Sequence, residues 1–136
     1  MMRRREIDNG DISGDRYVAT DVLTVVATDR THALVSFDLN FFNGHACGLS
    51  GIARLEGRML VYRESARLPE DPPCVLRLWR QGGRLRWNAD NNGCRTYCGA
   101  RGSFTDGGML WSSRRPISRA NRARLLREYE RDRSLP

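Results

Sequence analysis

A mainly β domain is the fold class this sequence predicts: a small antiparallel barrel or sandwich, wound as a β-meander, with one C-terminal α-helix. Three observations carry that expectation. Short apolar runs recur between turn signals from Tyr17 onward, and Gly82-Gly83 joins two of them. After Pro116 the apolar residues adopt helical spacing. The chain divides accordingly into a flexible polar arm over 1–16, a β domain over 17–115 and an amphipathic helix over 116–136 packed on the sheet.

Val22-Leu23-Thr24-Val25-Val26-Ala27 and Ala33-Leu34-Val35-Ser36-Phe37 flank the turn-like Thr28–His32 and predict a first hairpin. Asn43-Gly44 marks a tight turn or bulge. Gly51–Leu55 and Arg58–Tyr62 follow, joined by Glu56-Gly57, and then a loop from Ser65 to Pro73 that holds three prolines. Cys74–Arg80 and Arg84–Trp87 form the clearest hairpin. With Gly82-Gly83 as a two-residue turn, Arg80 faces Leu85 and Leu78 faces Trp87. One face then carries Leu76, Leu78, Leu85, Trp87 and Ala89, and predicts core. The other carries Arg77, Trp79, Arg84, Arg86 and Asn88. Asp90–Gly93 is a turn, and Gly102-Ser103-Phe104 leads into a short last strand. Ser118 is placed to cap a helix whose stripe is Ile117, Ala120, Ala123, Leu126 and Tyr129 or Glu130.

A length of 136 residues suits one domain with a real core. The net charge of +7 favours acidic partners. All 23 basic residues are Arg. Surface chemistry is served equally well by Lys, so the bias fits the codon usage of a GC-rich bacterial genome. No stretch approaches the roughly 20 apolar residues of a membrane span. Met1-Met2-Arg3-Arg4-Arg5 resembles the basic head of a signal peptide, but no apolar segment follows it.

Cys47, Cys74, Cys94 and Cys98 are the only cysteines. Two disulfides, a metal site and free thiols are the competing readings. Structural zinc uses cysteine pairs two to four residues apart, and only Cys94 and Cys98 are close, so disulfides are favoured and no metal is expected. The expected pairing is Cys47–Cys74 with Cys94–Cys98, the second bracing the segment from Asn92 to Gly99. An oxidising compartment follows. This implies an export signal outside the sequence given; the alternative is a cytoplasmic protein with reduced thiols.

The chemistry of catalysis is thin. His32 and His45 are available as bases, but a disulfide-bonded sulfur is no nucleophile, and both fit turn positions. Asp90-Asn91-Asn92 lacks the glycine and glutamate positions of a calcium loop. Asp106 precedes Gly107-Gly108 and reads as a loop residue. No enzyme activity, catalytic residue or cofactor is predicted. The Trp79/Arg86 face is richer, since Trp and Arg are the types enriched at binding hot spots; the competing reading buries Trp79 under the C-terminal helix.

The run from Cys47 to Phe104 resembles a small cysteine-containing β domain of exported proteobacterial envelope proteins of the lysozyme-inhibitor-like (LprI-type) kind. The similar segments are Cys47-Gly48-Leu49-Ser50-Gly51-Ile52-Ala53, Leu60-Val61-Tyr62-Arg63, Cys74-Val75-Leu76 and Cys94-Arg95-Thr96-Tyr97-Cys98-Gly99-Ala100-Arg101-Gly102-Ser103-Phe104; Ser113-Arg114-Arg115-Pro116-Ile117 is similar too. The resemblance implies a periplasmic, non-enzymatic binding protein that inhibits a wall-degrading enzyme, or an immunity protein against a toxin. Classical animal lysozymes are basic, as this chain is, so an acidic or neutral bacterial hydrolase is the implied partner.

The expected partner-binding residues are Arg95, Tyr97 and Arg101, with Trp79 and Arg86 as a second group. An Arg inserted into an acidic cleft would pair bidentately with catalytic carboxylates. Two other classes compete. A cytosolic nucleic-acid-binding module would use the helix arginines Arg114, Arg115, Arg119, Arg122, Arg124 and Arg127, although Glu128, Glu130 and Asp132 interrupt them. A hollow barrel could carry a small ligand. Oligomeric state is left open.

Overall fold

A computed structural model gives the fold and describes residues 2–10, 16–41, 45–65, 72–99 and 102–134. The strands are β1 (Met2–Gly10), β2 (Arg16–Ala27), β3 (His32–Asn40), β4 (Ala46–Glu56), β5 (Met59–Arg63), β6 (Val75–Gln81), β7 (Arg84–Ala89) and β8 (Gly107–Leu110). A 3-10 helix, Asn92–Tyr97, lies between β7 and β8, and a shorter one, Trp111–Ser113, follows β8. The α-helix α1 (Arg119–Ser134) ends the chain. All strands join one antiparallel sheet in sequence order, so the topology is the expected meander. The sheet curls until β8 approaches β1, giving a half-barrel rather than a sandwich.

The differences from expectation lie at the ends of elements. Residues 2–10, expected as a loose arm, pair with β2 as β1. Composition concealed this strand, because ladder hydrogen bonds are a backbone property and do not require apolar side chains. β4 starts at Ala46, well before the apolar run, because Gly48 and Ser50 pair across to Asp38 and Ser36 of β3. Asn43-Gly44 and most of the Ser65–Pro73 loop fall outside the described residues.

The β6–β7 hairpin has the register read from its two-residue turn: Arg80 opposes Leu85, and Leu78 opposes Trp87. Gly82 has φ +59, a left-handed conformation that a side chain would resist. Period-2 alternation then sends Leu76, Leu78 and Trp87 inward to 2% exposure or less. Phe37 of β3 is the hub of this core. Its ring meets Trp87 edge-on at 5.3 Å and Phe104 at 5.4 Å. Leu23, Val35, Leu39, Leu49 and Met109 fill the remainder.

Trp87 is buried with no hydrogen-bond partner for its Nε1, because its ring edge lies against β8 backbone at Gly107. A Cβ at Gly107 would stand 1.9 Å from that nitrogen. Asp21 is also buried, and its carboxylate accepts the Asn40 amide at 2.7 Å. The outward face of the sheet has an apolar patch as well: Val26, Leu34 and Val61 are each 2% exposed. Arg122 of α1 donates to the Ala27 carbonyl at 2.9 Å, which ties the helix beside this patch. Ser118 caps the helix, accepting from the Asn121 amide at 3.1 Å.

The cysteines form two disulfides, but not in the expected pairing. Cys47 is bonded to Cys98, and Cys74 to Cys94. The expectation failed on geometry. Residues 92–97 are wound as a 3-10 helix, so Cys94 and Cys98 leave it toward different strands. Cys98 forms a bridge pair with Cys47 at the start of β4, and Cys94 lies beside Val75 at the start of β6. The closed loops span 20 and 51 residues, worth about 3 and about 4 kcal/mol in lost unfolded-state entropy, though as nested loops they do not simply add.

Two stability effects are expected. Gly107→Ala should cost at least about 2 kcal/mol in urea unfolding, because the new methyl displaces the Trp87 ring. Cys74→Ala with Cys94→Ala should cost about 3 kcal/mol and leave the secondary-structure content, read by circular dichroism, unchanged.

Candidate functional site: a disulfide-clamped turn and two arginine clusters

From Asp90 to Tyr97 the segment after β7 pairs with no strand, so its shape rests on local bonds. The Asp90 amide donates to the Val75 carbonyl at 2.9 Å, tying the turn to β6. The Asn91 side chain accepts the Gly93 amide at 2.7 Å and starts the 3-10 helix. Gly93 packs against the carbonyls of Pro72 and Pro73, where a Cβ would come within 2.5 Å. The helix ends with the Cys98 amide donating to Arg95, and the Gly99 amide then donates to Ala46 at 2.8 Å.

Arg95 and Thr96 are therefore exposed on a short turn whose two flanking cysteines are bonded to two different strand starts. Tyr97 is half-buried against the core. Beside the turn is a cleft of about 290 Å³ whose lining includes Asn91, Asn92, Arg95, Ser103, Phe104 and Thr105. Phe104 belongs to the core, so the cleft has an apolar floor and polar walls. Arg95 has no carboxylate partner among the described residues. Arg101, expected to act with Arg95 and Tyr97, falls outside the described residues.

Trp79 and Arg86 stand directly opposite each other on the outward face of β6 and β7. Trp79 is half-buried and Arg86 exposed. Arg86 lies three residues before the end of β7 that leads to the clamped turn, about 10 Å along the strand. The expected residues thus form two groups. Arg77 on the same face is occupied: its Nε donates to Asp90 at 2.9 Å, and that hydrogen bond and charge raise its pKa.

A third cluster was not anticipated. Trp111, just after β8, has the Arg80 guanidinium 4.4 Å and the Arg114 guanidinium 4.6 Å from its ring centroid. The Arg114 spacing of three was legible in the sequence. Arg80 was not, because the β7–β8 pairing that brings Trp111 to the hairpin turn is non-local. The Trp111 amide donates to the Gly83 carbonyl at 2.8 Å.

The cysteines and His32, weighed for catalysis, are engaged elsewhere. All four cysteines are in disulfides and none is free. His32 Nδ1 lies 3.0 Å from Asp29 in the β2–β3 turn, where Asp29 also accepts the Thr31 amide at 2.8 Å. Those bonds, the Thr31 amide first and His32 next, lower the Asp29 pKa to about 2. His45 is half-buried at the start of the β4 segment, and its carbonyl accepts the Phe41 amide at 2.7 Å. Among the described residues no three His, Cys, Asp or Glu side chains group as metal ligands, and no helix is long and apolar enough to cross a membrane. On α1, Arg122 is used by Ala27, and Arg124 lies 3.5 Å from Glu128, so the helix presents no unbroken basic stripe.

Comparison of the chain with protein-family models, with curated proteins and with solved structures returns no match. The two disulfides are what bear on compartment: they belong to an oxidising one.

The β2–β3 turn should be acid-sensitive in a defined direction. The folded pKa of Asp29 lies below its ordinary 3.8, so its contribution is full above that value and lost as pH falls toward about 2. Wild type and Asp29→Ala should therefore differ by a constant stability from neutral pH to about 4, and the two curves should converge as pH approaches 2.

Proposed function

We propose that this protein is a periplasmic binding protein that inhibits a wall-degrading enzyme or a toxin, with the clamped Asn92–Tyr97 turn as its recognition element. One observation carries the reading: Arg95 and Thr96 are exposed between two cysteines, each bonded to a different strand. A turn held in this way loses little conformational entropy on docking, and that lowers the cost of binding. Arg95 supplies the chemistry, a planar guanidinium that matches a carboxylate pair in an acidic catalytic cleft. The adjoining cleft with its Asn92, Ser103 and Thr105 walls would receive polar groups from the partner.

The resemblance of Cys47–Phe104 to lysozyme-inhibitor-like envelope domains motivates the target class, and the charge of the chain selects within it. A hydrolase of acidic isoelectric point is attracted at long range, whereas a basic lysozyme is repelled.

The test is turbidity clearing of a cell-wall suspension by bacterial muramidases of acidic isoelectric point, with the oxidised protein added. Wild type should slow clearing in a saturable way. Arg95→Glu should weaken the effect about 10- to 100-fold, with the melting temperature unchanged, since a charge-assisted hydrogen bond is worth about 1.5–3 kcal/mol. Inhibition untouched by Arg95→Glu would remove the turn from the mechanism, and no inhibition of any such enzyme would overturn the reading.

A further inference from the structure

We propose that Cys47–Cys98 is a thiol-exchange site, where a dithiol reductant opens one side of the clamp on the Asn92–Tyr97 turn while Cys74–Cys94 stays closed. The first ground is access. Of the four bonded cysteines, Cys74 is 0% exposed, Cys47 1% and Cys94 2%, whereas Cys98 is half-buried. An attacking thiolate must reach a sulfur along the S–S axis, so a bond between two buried residues is shielded at both ends. Cys74–Cys94 is such a bond, and Cys47–Cys98 has one end at the surface.

The second ground is what surrounds each bond. Ala46 and Gly48 on either side of Cys47 are exposed, and a side chain at Gly48 would meet nothing within 4 Å. Gly99, after Cys98, is exposed as well. Beside Cys94 there is no such space. Gly93 is buried, and a Cβ there would stand 2.5 Å from the Pro72 carbonyl and 2.6 Å from that of Pro73. The Cys94 sulfur itself lies 3.8 Å from the Val75 carbonyl. Gly102 decides which sulfur is attacked. A Cβ built on it would be 2.8 Å from Cys47 Sγ, so its backbone covers Cys47 and leaves Cys98 as the electrophile.

A thiolate of the reductant attacks Cys98 Sγ, the S–S bond breaks, and Cys47 leaves as a thiolate that takes up a proton. The second thiol of the reductant then attacks its own sulfur in the mixed disulfide and releases Cys98. The protein bond gains two electrons and two protons, which the dithiol loses in becoming a disulfide. Cys47–Cys98 encloses the shorter Cys74–Cys94 loop, so the inner bond still ties the turn to β6. The far end is then held to β4 by backbone hydrogen bonding at an isolated bridge, with the Gly99 amide donating to Ala46 at 2.8 Å, in place of a covalent bond. As a means of regulation this rests on the turn being the recognition element: a turn tied at one end loses more entropy on docking.

Timed incubation of the oxidised full-length protein with dithiothreitol, quenched in acid, alkylated in denaturant and read by peptide mass spectrometry, tests the site. Cys47 and Cys98 should become alkylated together, at least about tenfold faster than Cys74 and Cys94. In the singly reduced protein, amide hydrogen exchange should rise about tenfold over Arg95–Gly99 and stay unchanged in β6 and β7. Equal rates for the two bonds, earlier opening of Cys74–Cys94, or unchanged exchange over Arg95–Gly99 would overturn the proposal. Neither readout needs a hydrolase. Where the oxidised protein inhibits a muramidase, single reduction should weaken that inhibition, and inhibition unchanged by it would overturn the regulatory role. An oxidised protein that inhibits none would overturn the function proposed above and not the exchange site.

Discussion

The bonding of one short turn to two different strands is the constraint on which the rest of the molecule depends. From Asp90 to Tyr97 the chain leaves the strand ladder, and a segment this short without a ladder cannot order itself by propensity alone. Cys74–Cys94 and Cys47–Cys98 supply what the ladder does not. Their loop-closure contributions are each a large fraction of the 5–15 kcal/mol that ordinarily separates folded from unfolded chains. With the turn seated, Phe104 is delivered to Phe37 and Tyr97 to the core margin. The disulfides therefore help close one end of the half-barrel core, besides presenting Arg95.

The core in turn explains how tightly the other end is specified. Trp87 fits because Gly107 lets β8 backbone approach its ring, at the cost of an indole N–H without a partner. That approach fixes β8 beside β7, and β8 carries Trp111 to the Gly82-Gly83 turn. One close contact in the interior thus brings Arg80 and Arg114 together at the surface.

Hairpins were legible in the sequence because their information is local. Gly82-Gly83 and the alternation of Leu76, Leu78, Leu85 and Trp87 sufficed to define the β6–β7 register. Thr28–His32 and Glu56-Gly57 marked two further turns, and Ser118 the helix start. Where the information is non-local, reading failed. The strand over residues 2–10 carries a polar sequence and is defined by its partner β2. The disulfide pairing was misjudged because sequence proximity of Cys94 and Cys98 says nothing of the 3-10 helix that points them apart. Arg95 and Tyr97 were found as site candidates because the cysteines frame them; the Trp111 cluster was missed because a sheet pairing assembles it.

Rigidity is joined to charge in this fold: positive groups lie on elements held in place, Arg95 at the clamped turn and Arg80 and Arg114 at Trp111. The central claim is the clamp itself. Proteolysis of the unreduced protein, followed by mass spectrometry of the linked peptides, tests it most directly. The account predicts one peptide pair joining Cys47 to Cys98 and another joining Cys74 to Cys94. Peptides joining Cys47 to Cys74, with Cys94 bonded to Cys98, would contradict it.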